Sequence, residues 1–182
     1  EKFSLKAFYS PASECGGEWW GKVEIDNKLI VIVIDATGHG TGAALVTAIA
    51  HNALTYIKET SAVDKSILSK PEIILNFLNK SISNILSDMM ATGFVAIIDL
   101  DNKNISYSNA SHNPPLIIKS NNIALTKESI IPVIDNLGKR LGEDIEEVFS
   151  SSTMDLNLGD KIIFYTDGLT EGENLEKKQW GK

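Results

Sequence analysis

Three acidic residues stand where a carboxylate is costly to keep. Asp35 follows the aliphatic run Leu29-Ile30-Val31-Ile32-Val33-Ile34, and Asp167 follows Ile162-Ile163-Phe164-Tyr165-Thr166. Each run reads as a buried strand ending on a charge, and a charge at that place costs desolvation energy unless something binds it. Glu18 comes after Gly16-Gly17 and before a strand that should pair with the one bearing Asp35. Three carboxylates brought together with no arginine or lysine beside them need a cation to offset their repulsion. Hard oxygen ligands of this kind suit Mg2+ or Mn2+. Aspartates in loops also cap turns through side chain-to-backbone hydrogen bonds, so a structural role for Asp35 and Asp167 stays open.

The loop after Asp35 carries Gly38, His39 and Gly40 into an alanine-rich helix. Backbone N–H groups at a helix start favour phosphate, and His39 can donate to one. Gly38-x-Gly40-x-x-Ala43 also matches a dinucleotide fingerprint locally, which requires a second parallel strand ending in an acid about twenty residues on. That distance falls at Lys58-Glu59, inside the expected helix, so a nucleotide-binding enzyme is the remote reading. Cys15 as a phosphatase nucleophile would want a nearby arginine, and the chain has one arginine, Arg140. His112, in Asn109-Ala110-Ser111-His112-Asn113-Pro114-Pro115, is open to a structural or a chemical role, as is His39. His51, mid-helix, reads as a surface or packing residue, and no G-x-S-x-G elbow is present.

The elements that must position these residues follow from periodicity. Phe3 to Tyr9 alternates as a first strand, Ser10 to Glu18 is a loop, and Trp20 to Asp26 turns through Asp26-Asn27-Lys28 into the aliphatic strand. A helix is predicted from Gly42 to about Glu59, with Leu45, Ile49, Ala53, Tyr56 and Ile57 near one face. Thr60 to Ser69 reads as a polar linker, and Pro71 opens a second helix capped by Ser69. Strands are predicted over Thr92–Ile98, Ile105–Asn109, Leu116–Ile118, Val148–Leu156 and Lys161–Thr166, while residues 120–144 show only turn signals at Gly138 and Gly142. A hairpin, two helices and a run of hairpins favour antiparallel sheets over a doubly wound parallel one.

Composition narrows the partners. The 182 residues fit one domain with a substantial core, and a net charge of −7 argues against nucleic acid. The single cysteine excludes an internal disulfide and fits a reducing compartment, and no apolar run approaches a membrane span. The expected location is therefore cytoplasmic, with no membrane contact by this segment. The chain begins in strand-like sequence and stops at Trp180-Gly181-Lys182, which points to a piece of something longer.

Taken together, Pro11 to Trp20, Asp35-Ala36-Thr37-Gly38-His39-Gly40, Asn109 to Pro115, and Leu158-Gly159-Asp160 with Tyr165 to Glu171 resemble, in order, the blocks of the SpoIIE-like branch of the PPM metal-dependent serine/threonine phosphatases. The resemblance implies an α+β fold, an α-β-β-α sandwich of two antiparallel sheets flanked by helices. It implies two Mn2+ or Mg2+ ions roughly 3.5–4 Å apart sharing an activated water. By position, Asp35 would bridge both ions, Glu18 and the Ala36 carbonyl would hold one, and Asp167 the other. Asp35 and Asp167 would thus be catalytic, with Gly38, His39 and Gly40 on the phosphate side. The implied substrate is a phosphoserine or phosphothreonine protein such as an anti-sigma factor antagonist, and the implied parent chain carries a regulatory or sensor domain. Two departures stand out: Glu18 replaces the usual Asp, and no residue after Asp167 matches the last metal-binding Asp. The expectation is one domain over residues 1–182, truncated before its last strand, with a catalytically degenerate binding module as the alternative.

Overall fold

The computed structural model of the chain describes residues 4–10, 16–86, 88–120, 126, 129–172 and 179. Cys15, the Pro11 to Glu14 part of the first block and Trp180-Gly181 lie outside them. The elements are β1 (Glu18–Ile25), β2 (Lys28–Ala36), α1 (Thr41–Val63), a 3-10 turn (Lys65–Ser69), α2 (Pro71–Ile85), β3 (Ala91–Asp99), β4 (Asn104–Ala110), β5 (Leu116–Ile118), β6 (Ile130–Pro132), β7 (Leu137–Gly138), β8 (Ser152–Asp155), β9 (Lys161–Ile163) and α3 (Asp167–Thr170).

They form two sheets, one ordered β1-β2-β3-β4-β7 with β8 also paired to β4, the other β6-β5-β9. Every pairing between these strands is antiparallel except the two-residue contact of β4 with β7. The aliphatic run in β2 is explained by cover on both faces. Ile30, Ile32 and Ile34 face the helices with Val95 and Ile97, against Ala43, Val46, Ala50, Ala53 and Ile57 of α1 and Leu75, Leu78 and Ile82 of α2. Leu29, Val31 and Val33 point the other way, beside Phe94, Ala96 and Tyr107, toward Ile117, Ile162 and Phe164. Ile30, Ile32 and Ile34 are fully buried, each contributing about 1.5–3 kcal/mol. This is the predicted α+β two-sheet sandwich, with α1 and α2 as an outer layer. Among the described residues no helix is long and apolar enough to cross a membrane.

Several local expectations are corrected. Ser4 to Tyr9 is not a strand: it joins no sheet among the described residues, touching β1 through the Tyr9 hydroxyl, which donates to Glu18 O at 3.3 Å, and Phe8 is 91% exposed. Glu18 lies inside β1 rather than in a loop before it. The buried stripe of α1 is Ala43, Val46, Ala50, Ala53 and Ile57, so Leu45 is exposed and small alanines meet the sheet. The supposed linker is the last turn of α1 followed by the 3-10 turn, whose first turn is capped by Asp64 accepting from Ser66 N at 2.8 Å. Ser69 does not cap α2; its hydroxyl donates to Ser66 O at 3.0 Å. The two late strands are short and form no hairpin, because β8 joins β4 while β9 joins β5. Asp160 holds that crossing, accepting from Asn157 N, Ser120 N and the Lys119 ammonium. The unread stretch supplies β6 and β7, both too short to leave a periodic signal.

Candidate metal centre

Register builds the first half of the site. Glu18 of β1 stands opposite Asp35 of β2, and Asp35 stands opposite Thr92 of β3. Side chains directly opposite in antiparallel strands share a face. Here it is the face of Trp20, Val33 and Phe94, turned toward the small sheet. The row Glu18, Asp35, Thr92 therefore lies at one end of the space between the two sheets.

Asp167 arrives from the other side, with a changed local structure. β9 stops at Ile163 and is half exposed, so Asp167 does not end a buried strand; it opens the short helical turn α3. Phe164 anchors the intervening segment against Phe94, with ring centroids 6.0 Å apart. Thr166 Oγ1 donates to Glu18 Oε1 at 3.0 Å. A Cβ on Gly168 would lie 3.1 Å from that same oxygen, so glycine keeps the approach open.

Carboxylate oxygens of Glu18, Asp35 and Asp167 lie within 4.8 Å of one another. Burial, then the charge of Asp167, then that of Glu18, pushes the Asp35 carboxyl from its ordinary 3.8 up to about 7. The ion pairs of the described residues all lie elsewhere, so no lysine or arginine among them is paired with the cluster. Among the described residues neither Asp35 nor Asp167 accepts a backbone N–H through its carboxylate, so the turn-cap role has no support. An all-oxygen, uncompensated donor set fits a hard divalent cation.

The other candidates surround this cluster. Ala36 is buried, its N–H donating to Gly17 O at 3.0 Å, and a Cβ on Gly17 would come within 2.9 Å of the Ala36 carbonyl. Gly38 and His39 are exposed, and Gly40 is half-buried. Gly38 and Gly40 take φ of 83° and 89°, which favours glycine. Gly40 precedes α1 with no side-chain cap, leaving the helix start bare. No hydrogen bond among the described residues links Gly38, His39 or Gly40 to the three acids. His51 is exposed and meets Trp19 edge-on, centroids 6.1 Å apart. The dinucleotide reading fails, since both neighbours of β2 are antiparallel to it.

Residues that sequence alone did not assign complete the site. Asn109, 1% exposed, grips the main chain of His112 on both sides: its Oδ1 accepts from His112 N at 2.7 Å and its Nδ2 donates to His112 O at 3.1 Å. The His112 ring lies 2.8 Å from Thr92 Oγ1 through Nδ1. Burial holds this ring well below its ordinary 6.5, at about 4, against the opposing pull of the Tyr165 carbonyl and the Asp167 charge. The block Asn109 to Pro115 was the available signal; the roles of Thr92 and Thr166 had none. An open cavity of about 340 Å³, lined by Tyr9, Gly16, Glu18, Trp19, Trp20 and Thr47, adjoins the acids through Glu18.

Residues 25–182 match the family model of stage II sporulation protein E (SpoIIE). The chain is 26% identical over 204 residues to protein IcfG of Synechocystis sp., covering 100% of this chain and 31% of that protein. It is 24% identical over 172 residues to the phosphoserine phosphatase RsbU of Bacillus subtilis, covering 94% of this chain and 48% of that one. The solved RsbU and RsbW domains of Rv1364c from Mycobacterium tuberculosis superpose with a TM-score of 0.70 at 28% identity, over 92% of this chain and 44% of that chain. The chain thus spans less than half the length of these relatives.

Proposed function

Because the chain belongs to the stage II sporulation protein E (SpoIIE) family, the SpoIIE-like branch of the PPM metal-dependent phosphatases, we propose that it hydrolyses phosphoserine or phosphothreonine on a signalling protein. The observation that carries this reading is the set of three carboxylates within 4.8 Å of one another, with no lysine or arginine paired to them among the described residues. Glu18, Asp35, Asp167 and the Ala36 carbonyl would hold Mn2+ or Mg2+, two ions in the complete domain. Bound there, such ions would offset phosphoryl charge and would lower the pKa of a coordinated water so that a hydroxide nucleophile is available at neutral pH.

The chain's own residues set the conditions for that attack. Asp35 holds a proton up to about pH 7 in the metal-free chain, so loading the site displaces that proton and affinity rises with pH. Thr166 fixes one oxygen of Glu18, leaving the other to turn toward the cluster. The bare start of α1 behind Gly38, His39 and Gly40 offers N–H groups to phosphoryl oxygens. The cavity walled by Tyr9, Trp19 and Trp20 gives the substrate polypeptide a place to lie beside Glu18.

The substrate class is a phosphorylated protein such as an anti-sigma factor antagonist, met in the cytoplasm by a parent chain with a regulatory or sensor domain. Nucleic acid is unsuited to a chain of net charge −7. Phosphate release from a phosphoserine protein in Mn2+, by wild type and by Asp35→Asn, tests the reading. Manganese-dependent turnover lost in Asp35→Asn is expected, and turnover that survives the substitution overturns it. Glu18 in the place of the family's Asp favours one other reading, a degenerate binding module. Tight Mn2+ binding with no turnover by the full parent protein would select it.

A further inference from the structure

His112 is 3% exposed, and its two ring nitrogens are treated unequally. Nδ1 meets Thr92 Oγ1 at 2.8 Å, whereas Nε2 is buried with no hydrogen-bond partner among the described residues. An orphaned buried polar atom costs about 1–3 kcal/mol. Slack in the loop does not explain its retention, because the backbone there is fixed from three directions. Asn109 grips His112 N and O, Ser111 is held at a φ of 55°, and the Ser111 hydroxyl donates to Gly138 O at 2.8 Å.

The surroundings say what the ring is held against. Thr92 is the register partner of Asp35, so Nδ1 is tied to the row that carries Glu18 and Asp35. The Tyr165 carbonyl and the Asp167 carboxylate both act on the same ring, and both belong to the segment that delivers the other acid. That segment leaves regular structure after Ile163 and is otherwise tied to the acids by the hydroxyl of Thr166. A neutral imidazole that accepts at Nδ1 must carry its hydrogen on Nε2.

We infer that His112 is a positioning residue for Asp167, accepting the Thr92 hydroxyl at Nδ1 and offering Nε2–H to the Tyr165 carbonyl as the acids close on a cation. The inference rests on reading Glu18, Asp35 and Asp167 as metal ligands. Groups that orient ligands in this way are worth about 10–100-fold in metal affinity.

Asparagine and glutamine separate the two ring atoms, because an Asn amide reaches the Nδ1 position and a Gln amide the Nε2 position. Calorimetric titration of this chain with Mg2+ is expected to leave His112→Gln within about threefold of wild type, and to weaken His112→Asn ~10–100-fold. Equal losses would make the ring mere packing, and a better-preserved His112→Asn would place its role at Thr92 alone; either overturns the inference while leaving the acids as ligands. Thr92→Val covers the case where the histidine variants unfold. It removes the hydroxyl that fixes the tautomer, so histidine-selective 15N NMR should show the two tautomers mixing and Mg2+ affinity should fall. A tautomer and an affinity unchanged in Thr92→Val overturn the inference. A wild type that binds no Mg2+ overturns the reading of the acids, and this inference with it.

Discussion

Glu18 and Asp35 stand directly opposite each other across β1 and β2, two acids on one face of one sheet. Like charges at directly opposed positions destabilise a strand pair. The sheet tolerates them because β2 is locked elsewhere by its buried isoleucines, and because Asp35 keeps its proton up to about pH 7. Above that pH the carboxyl ionises and the fold carries a strained pair of like charges.

Asp35→Asn follows from that strain. The substitution removes the ionisable group and retains the shape, so the metal-free chain is expected to become more stable at pH 7.5 by about 1–2 kcal/mol, allowing for solvent around a partly exposed cluster. For a domain of this size that is a rise in Tm of about 2–8 °C. Addition of Mn2+ should raise the Tm of wild type and leave that of Asp35→Asn in place. Differential scanning calorimetry with and without metal reads both effects; a variant less stable than wild type without metal would show that the charge cluster is not strained.

Glu18 is aimed by a partner far away in sequence. Thr166 Oγ1 holds its Oε1 at 3.0 Å, and Gly168 leaves room beside it. Thr166→Val keeps the volume and removes the donor, so Mn2+ affinity is expected to fall ~10-fold or more with little change in metal-free stability. Gly168→Ala presses a methyl to 3.1 Å from the same oxygen and is expected to act in the same direction. Isothermal titration of the two variants beside wild type decides the matter. Unchanged affinity in both would remove Glu18 from the ligand set.

Two glycines near the site should respond differently to alanine. At Gly17 an added Cβ would stand 2.9 Å from the Ala36 carbonyl and 3.2 Å from the Ala43 Cβ, with backbone on one side and a packed helix on the other. Gly17→Ala is expected to cost about 1–3 kcal/mol and to displace Ala36. At Gly38 a Cβ meets nothing within 4 Å, and only its φ of 83° resists substitution. Gly38→Ala should cost about 1 kcal/mol. Urea denaturation gives the ranking, and a Gly38 variant as damaged as the Gly17 variant would contradict it.

The legible parts of this chain are those fixed by short-range pattern. The β2 run announces a strand covered on both faces and ending on Asp35, because apolar sequence around a charge is visible without coordinates, whereas Asp167 reaches the cluster from a short helical turn rather than from the end of a buried strand. On α1 the expected face holds at Ile49, Ala53, Tyr56 and Ile57 and fails at Leu45, which is exposed while the smaller Val46 and Ala50 meet the sheet. Alternation in Phe3 to Tyr9 could not reveal whether a partner strand exists. His112 looked like a turn residue, because its burial depends on Thr92 from β3 and on the grip of Asn109. Nothing local in the sequence couples Thr166 to Glu18, which lie 148 positions apart.

Asp35 and His112 should hide each other's pH dependence in the metal-free chain. The Asp35 carboxyl is raised from 3.8 to about 7, so the folded state keeps a proton that the unfolded state loses. Its contribution to stability is full below pH 3.8 and is lost as pH rises toward 7. The His112 ring is lowered from 6.5 to about 4, so the unfolded state takes up a proton that the folded state refuses. Its contribution is full above pH 6.5 and is lost as pH falls toward 4. Between these limits the two slopes oppose, each amounting to about 2–3 kcal/mol across the window. Relative to wild type, Asp35→Asn is therefore expected to lose stability on acidification from pH 6.5 to 4, and His112→Gln to gain it. Chemical denaturation of the three proteins at half-unit pH intervals in chelator measures both slopes. Parallel curves for wild type and His112→Gln would mean that the ring charges freely in the folded chain, and that the burial assigned to it does not hold in solution.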